Sequence, residues 1–243
     1  MGGMRNPAVE APARTRRKSR GSTKPASKAG REAAAFEILQ SKLEVPTLRD
    51  GLVSRSALVS RLRPPSSARV VSIAAPAGYG KTTLLAQWAA EDSRPFAWVS
   101  LDDRDNDPAA FLTYLSAAAD GVSPVDASVF RGAASGADSL WTVGLPRLGA
   151  ALAAIGKPMV LVLDDVHELR DRDCIDALEP IAKHLPDGAQ LVLSGRAEER
   201  LPLARLRAAG RLLALGPAEL ALSDSEAKGL LTEAGVKVSA AEA

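Results

Sequence analysis

Val70-Val71-Ser72-Ile73-Ala74-Ala75-Pro76-Ala77-Gly78-Tyr79-Gly80-Lys81-Thr82-Thr83-Leu84-Leu85-Ala86-Gln87-Trp88-Ala89-Ala90 is the stretch that decides the fold. Residues 70–74 read as a short buried strand and residues 84–90 as a helix. A strand, a glycine loop, a Lys-Thr pair and a helix make a phosphate-binding loop. Gly78 and Gly80 let successive backbone N–H groups turn inward on an anion. The helix opening near Lys81 adds its positive end. Lys81 can reach the β- and γ-phosphate oxygens, and the Thr82 hydroxyl can ligate Mg²⁺. Thr83 is placed to touch the α-phosphate. The nucleotide-binding loop thus comprises Ala75, Pro76, Ala77, Gly78, Tyr79, Gly80, Lys81, Thr82 and Thr83. The strict pattern opens with Gly where Ala75 stands, which is tolerable if φ stays negative there.

The second anchor is Met159-Val160-Leu161-Val162-Leu163-Asp164-Asp165. A continuous apolar run ending in two carboxylates reads as a buried parallel strand that delivers acids at its C-terminal edge. Ligands of open α/β sheets bind at that edge. Asp164 is the residue to hold Mg²⁺ through water, and Asp165 the one to orient or deprotonate an attacking water. Two adjacent carboxylates repel, and a bound Mg²⁺ with Lys81 nearby makes the pair tolerable. Ala189-Gln190-Leu191-Val192-Leu193-Ser194 repeats the strand pattern and leads into Gly195-Arg196, which places Arg196 where it could sense a γ-phosphate.

Elsewhere the pattern predicts an extended Ser41–Pro46, a helix over Ser56–Leu62 stopped by Pro64-Pro65, and a strand over Phe96–Leu101. Asp107 as N-cap with Pro108 in the first turn opens a helix to about Ala119. The acidic run 102–107 lacks the Gly and Glu of a calcium loop. A mobile connection follows over 120–137. Then come a helix from about Ser139 to Ile155, with Pro146 near its first turns or breaking it, a short helix over Leu201–Ala208, and a last strand over Arg211–Leu215. Ser223-Asp224-Ser225-Glu226 opens a final helix as a capping box. Val53 and Arg55, just upstream of the loop, are the candidates to pack over a nucleotide base. His167 and His184 read as surface or packing residues.

Nine of the 31 Lys and Arg but only one of the 29 acidic residues fall within residues 1–31, leaving 22 basic and 28 acidic residues in the remainder. The basic pI of about 8.8 therefore comes from the tail. That tail has too little apolar surface to offset its ordering entropy and is expected to be disordered. Its run Arg14-Thr15-Arg16-Arg17-Lys18-Ser19-Arg20 could contact nucleic acid weakly. The one cysteine, Cys174, excludes an intrachain disulfide and fits a reducing cytoplasm. No apolar run approaches the roughly eighteen residues of a membrane span, and no apolar segment follows Met1 as in a secretory signal.

Taken together, Ser41-Lys42-Leu43, Val53-Ser54-Arg55, Ala75–Thr83 with Gln87-Trp88, Trp98–Asp102, Asp105–Pro108 with Phe111, Leu163–His167, Leu193–Arg196 with Leu201–Leu206, and Glu219-Leu220 with Glu226-Ala227 fall in one family order. The chain resembles, from about residue 40 to 235, the ATPase of the large ATP-binding LuxR-type (MalT-like) transcriptional regulators, a STAND class of P-loop NTPase. The resemblance implies ATP and a resting ADP as ligands, with Mg²⁺, and self-association in the ATP state. It also implies a three-layer α/β fold whose five-stranded parallel sheet puts the Leu191–Ser194 strand between the strands of the phosphate loop and of Asp164. Residues 1–35 are then a tail, 36–222 the NTPase domain, and 223–243 the start of a helical lid. Family members continue into a winged helix, a helical-repeat sensor and a helix-turn-helix, so the reading is of a truncated, slowly hydrolysing switch module. The other reading is a non-catalytic, DNA-associated or interaction protein that acts through its basic tail and keeps a vestigial nucleotide site. Steep salt dependence would mark the second.

Overall fold

The computed structural model describes residues 38–49, 51–63, 68–124, 140–198 and 201–233. The basic tail 1–35, the Pro64-Pro65 stop, most of the 120–137 connection and residues 234–243 lie outside these. Five parallel strands form one sheet: β1 (Val70–Ala74), β2 (Phe96–Ser100), β3 (Val160–Asp164), β4 (Gln190–Gly195) and β5 (Leu212–Leu215). Their order is β2-β3-β4-β1-β5. β4 lies between β1 and β3, in register Val70 with Leu191 and Val160 with Gln190. The expected sheet, with the Leu191–Ser194 strand between the other two, is the one observed.

Strand residues alternate between two cores, as a period of two requires. Leu161, Leu163, Leu191 and Leu193 face one side. There they meet α3 (Pro108–Val122), α4 (Leu145–Ala154), α5 (Arg172–Asp176) and α6 (Leu178–His184). Val71, Ile73, Val160, Val162 and Val192 face the other. α1 (Ser56–Leu62), α2 (Lys81–Glu91) and, after α7 (Ala204–Ala208), α8 (Pro217–Leu220) cover that side, with Trp88 and Leu220 buried in it. Helices on both faces of a parallel sheet make the three layers. A last helix, α9 (Asp224–Glu233), opens with the expected capping box. Ser223 N–H donates to Glu226 Oε2 at 2.8 Å, and Glu226 N–H returns to Ser223 Oγ at 3.3 Å. Among the described residues no helix is long and apolar enough to cross a membrane.

Two local expectations need correction. Ser41–Pro46 is not wholly extended, because Gln40–Lys42 forms a 3₁₀ turn. The cause is tertiary. Lys42 is buried, its ammonium pairs with Asp105 and Asp102, and it lies 4.4 Å from the centre of the Tyr114 ring. The helix expected from about Ser139 is present, but its first described residues, Leu140–Gly144, form one π-type turn. Regular α-helix begins at Leu145, with Pro146 in its first turn.

The C-terminal end of α2 is closed by Asp92. Its carboxylate accepts from the Trp88 indole at 2.8 Å and from Arg94 through its backbone N–H, Nε and Nη2. Burial pushes its pKa up, but these donors and the Arg94 charge override that and hold it near 2, below the ordinary 3.8. A carboxylate with a depressed native pKa stabilises the fold above its unfolded value, and loses that contribution as pH falls through the native one. Asp92→Asn is therefore expected to cost about 1–2 kcal/mol at pH 7. Urea midpoints of the two proteins should converge as the pH is taken from 4 down toward 2.

Candidate functional site

The site is built at the C-terminal ends of β1, β3 and β4. Apolar β1 stops at Ala74, and Ala75 N–H donates to Gly195 O of β4 at 3.2 Å. The chain then turns through Gly78 (φ 86°) and Gly80 (φ 71°), the left-handed region where a Cβ is strained. A Cβ at either glycine would meet no atom within 4 Å, so backbone conformation rather than crowding demands glycine here, and the loop borders open space. Ala75 keeps φ negative, as its place in the pattern needs: Asp165 is the one non-glycine with positive φ among the described residues. Gly80 caps α2, and Leu84 N–H closes the first turn on Gly80 O at 2.8 Å. Lys81, 8% exposed, begins that helix, and its Nζ donates to Ala75 O at 2.8 Å and Pro76 O at 3.0 Å. The Lys81 ammonium is thus held against the two carbonyls that open the loop.

β3 brings the acids. Asp164 is buried at its end, and its Oδ2 accepts from Thr82 Oγ1 at 2.7 Å. A hydroxyl and a carboxylate so joined are a hard-oxygen donor pair fit for Mg²⁺, which keeps several waters and takes few protein ligands. Asp165 follows in left-handed conformation at φ 58°. Its side chain remains about half exposed, with the His167 ring 3.7 Å away. Burial, then the Asp164 charge, raises its pKa; His167 and Lys81 oppose the rise. His167 sits between the carboxylates of Asp165 and Glu168, and both ring nitrogens are buried without a hydrogen bond. Arg196 is exposed immediately after Gly195, the residue bonded to Ala75. Gly195 is packed tightly: a Cβ there would come 3.0 Å from Val166 Cγ1 and 3.3 Å from His167 N.

Beside the loop lies a cavity of about 410 Å³. Leu52, Val53 and Arg55 form one wall and Gly78, Tyr79, Gly80 and Thr83 another. The third wall, Leu220, Ala221, Leu222 and Leu230, comes from the end of α8, the connection after it and α9. Val53 and Arg55 are thus brought beside the loop, as the sequence suggested for base-packing residues. The Arg55 guanidinium, however, is largely engaged. Nη2 donates to Leu220 O at 2.9 Å and Ala221 O at 3.3 Å, and Nε lies 3.2 Å from Glu226 Oε1. Sequence reasoning missed this C-terminal wall. The capping box at Ser223 announced a helix, and nothing local said that it folds back on Arg55.

No family model matches the chain. Curated relatives do. The HTH-type transcriptional regulator MalT of Klebsiella pneumoniae subsp. pneumoniae is 34% identical over 196 residues, and that of Cronobacter sakazakii is 35% identical over the same length. Each match covers 79% of this chain and 21% of the relative, so the chain spans about a fifth of the length of the regulators it matches. Over those 196 residues the chain is similar to a segment of these MalT regulators.

Proposed function

We propose that this chain binds Mg·ATP at the Ala75–Thr83 loop, hydrolyses it slowly to ADP and phosphate, and serves as the nucleotide switch of a MalT-like transcriptional regulator. The observation that carries the reading is the Thr82–Asp164 hydrogen bond at 2.7 Å. It joins the loop hydroxyl and the strand-end carboxylate that a phosphate-bound magnesium needs together. Mg²⁺ held by Thr82 and, through water, by Asp164 would neutralise phosphate charge and fix the geometry of the terminal phosphate.

The other residues follow by position. The N–H groups turned by Gly78 and Gly80, and the α2 N-terminus, receive phosphate oxygens. Lys81 exchanges its carbonyl partners for charge-assisted bonds to phosphate. The cavity walled by Leu52, Val53, Tyr79 and Leu222 offers apolar surface to a flat base. Asp165, more basic than an ordinary aspartate, orients the attacking water and accepts its proton. Arg196 supplies positive charge at the same sheet edge. Self-association in the ATP state is the output that fits such a switch. A reducing cytoplasm suits Cys174, which is buried with a free thiol.

Mg·ATP at about a hundred times Kd should add about 2.7 kcal/mol of stability, or roughly 5–10 °C in melting temperature for a domain of this size. Lys81→Ala should abolish that shift in a thermal-melt titration. An unchanged shift in the variant would put the nucleotide elsewhere.

Asp165→Asn separates binding from turnover. Asparagine tolerates the left-handed backbone at 165 and keeps one oxygen acceptor, but it loses the basicity that proton transfer needs. Affinity for ATP should stay within a few-fold of wild type, while single-turnover hydrolysis falls by about a hundredfold or more. Asp164→Asn should instead weaken the Mg²⁺-dependent binding itself. Equal hydrolysis by Asp165→Asn and wild type would leave this chain as a binding module.

A further inference from the structure

α2 buries Leu84, Leu85 and Trp88, and in the same helix a glutamine is buried too: Gln87 is 8% exposed. A buried primary amide is costly unless its groups are paired. Here one donor and the acceptor are spent on a single short segment. Gln87 Nε2 donates to Val53 O at 2.8 Å, and Gln87 Oε1 accepts from Arg55 N–H at 2.9 Å. The side chain thus pairs with the 53–55 backbone much as a neighbouring strand would, one acceptor and one donor two residues apart. Arg55, so held, reaches on to Leu220, Ala221 and Glu226. One amide therefore ties the base-side wall of the cavity to the helix that carries Lys81. Gln87 lies six residues past Lys81, about 9 Å along the helix axis.

Resting on the nucleotide reading of the site, we propose that Gln87 is a positioning residue. It sets the height of the 52–55 segment above the phosphate loop, and so governs the part of nucleotide affinity that comes from the base. It touches neither phosphate nor metal, and the triphosphate part of binding is independent of it. A merely structural glutamine would weaken every ligand alike. A positioning glutamine divides them.

The test is calorimetric titration of the full chain, in the presence of Mg²⁺, with ATP, GTP and inorganic tripolyphosphate. Wild type is compared with Gln87→Leu and Gln87→Glu. Leucine keeps the bulk and removes both bonds. Glutamate keeps an acceptor for Arg55 N–H but sets a carboxylate oxygen against Val53 O, where two acceptors repel. Both variants are expected to lose about tenfold or more in ATP affinity, as one or two buried hydrogen bonds to the segment would give. Both are expected to hold tripolyphosphate within about twofold and to show a narrowed preference between ATP and GTP. Retained tripolyphosphate binding also reports that the loop remains folded. Parallel loss of ATP and tripolyphosphate in both variants, or wild-type affinity for ATP in both, would overturn the role of Gln87. A wild-type chain that binds tripolyphosphate but gains nothing from a base would overturn it as well. A wild-type chain that binds none of the three ligands would instead remove the nucleotide reading on which it stands.

Discussion

A single hydrogen bond, Thr82 Oγ1 to Asp164 Oδ2, spans 82 residues of chain, and the geometry of the site depends on it. It can form only if the Ala75–Thr83 loop and the end of β3 arrive at one edge of the sheet at one height. β4 guarantees this by lying between them, in register with β1 on one side and β3 on the other. Parallel strands buried on both faces have no freedom to slip, because a one-residue shift would turn every apolar side chain to the opposite core. The two cores therefore act as the gauge that sets a hydroxyl and a carboxylate 2.7 Å apart. The sheet edge also sets two carboxylates side by side. Asp164 is buried, and its charge helps raise the pKa of Asp165 beside it.

Much of this was legible in the sequence, for reasons that particular residues show. β1, β3 and β4 are apolar runs bounded by polar or glycine residues, the signature of buried parallel strands. Gly78, Gly80 and Lys81 fix the loop because few alternatives satisfy that backbone. Asp107 with Pro108 opens α3 as the capping rules require, with Asp107 Oδ1 accepting from Ala109 and Ala110 N–H. These are local signals, and local physics decides them.

What was not legible depends on partners distant in the chain. Lys42 bends its segment into a turn because Asp105, 63 residues later, accepts from its ammonium. Gln87 looks like an ordinary helical residue until Val53 and Arg55 are seen against it. The C-terminal wall of the cavity rests on Arg55 reaching Leu220, 165 residues on. Periodicity and capping carry no information about such pairs, since they are settled only when separate elements dock. The short helices α5 and α6 escaped notice for another reason. They hold few turns, and Pro180 sits in the first turn of α6, where it is tolerated but reads as a break.

The contact at Gly195 has a mechanical meaning. With 3.0–3.3 Å between the position of an absent Cβ and the atoms of Val166 and His167, the end of β4 bears directly on the turn that carries Asp165. Close-packed surfaces transmit displacement rather than absorb it. Arg196 hangs from one side of that joint and Asp165 from the other. The two side chains therefore flank one close-packed joint, in which the Val166 side chain and the His167 backbone leave no room at Gly195 for even a methyl group.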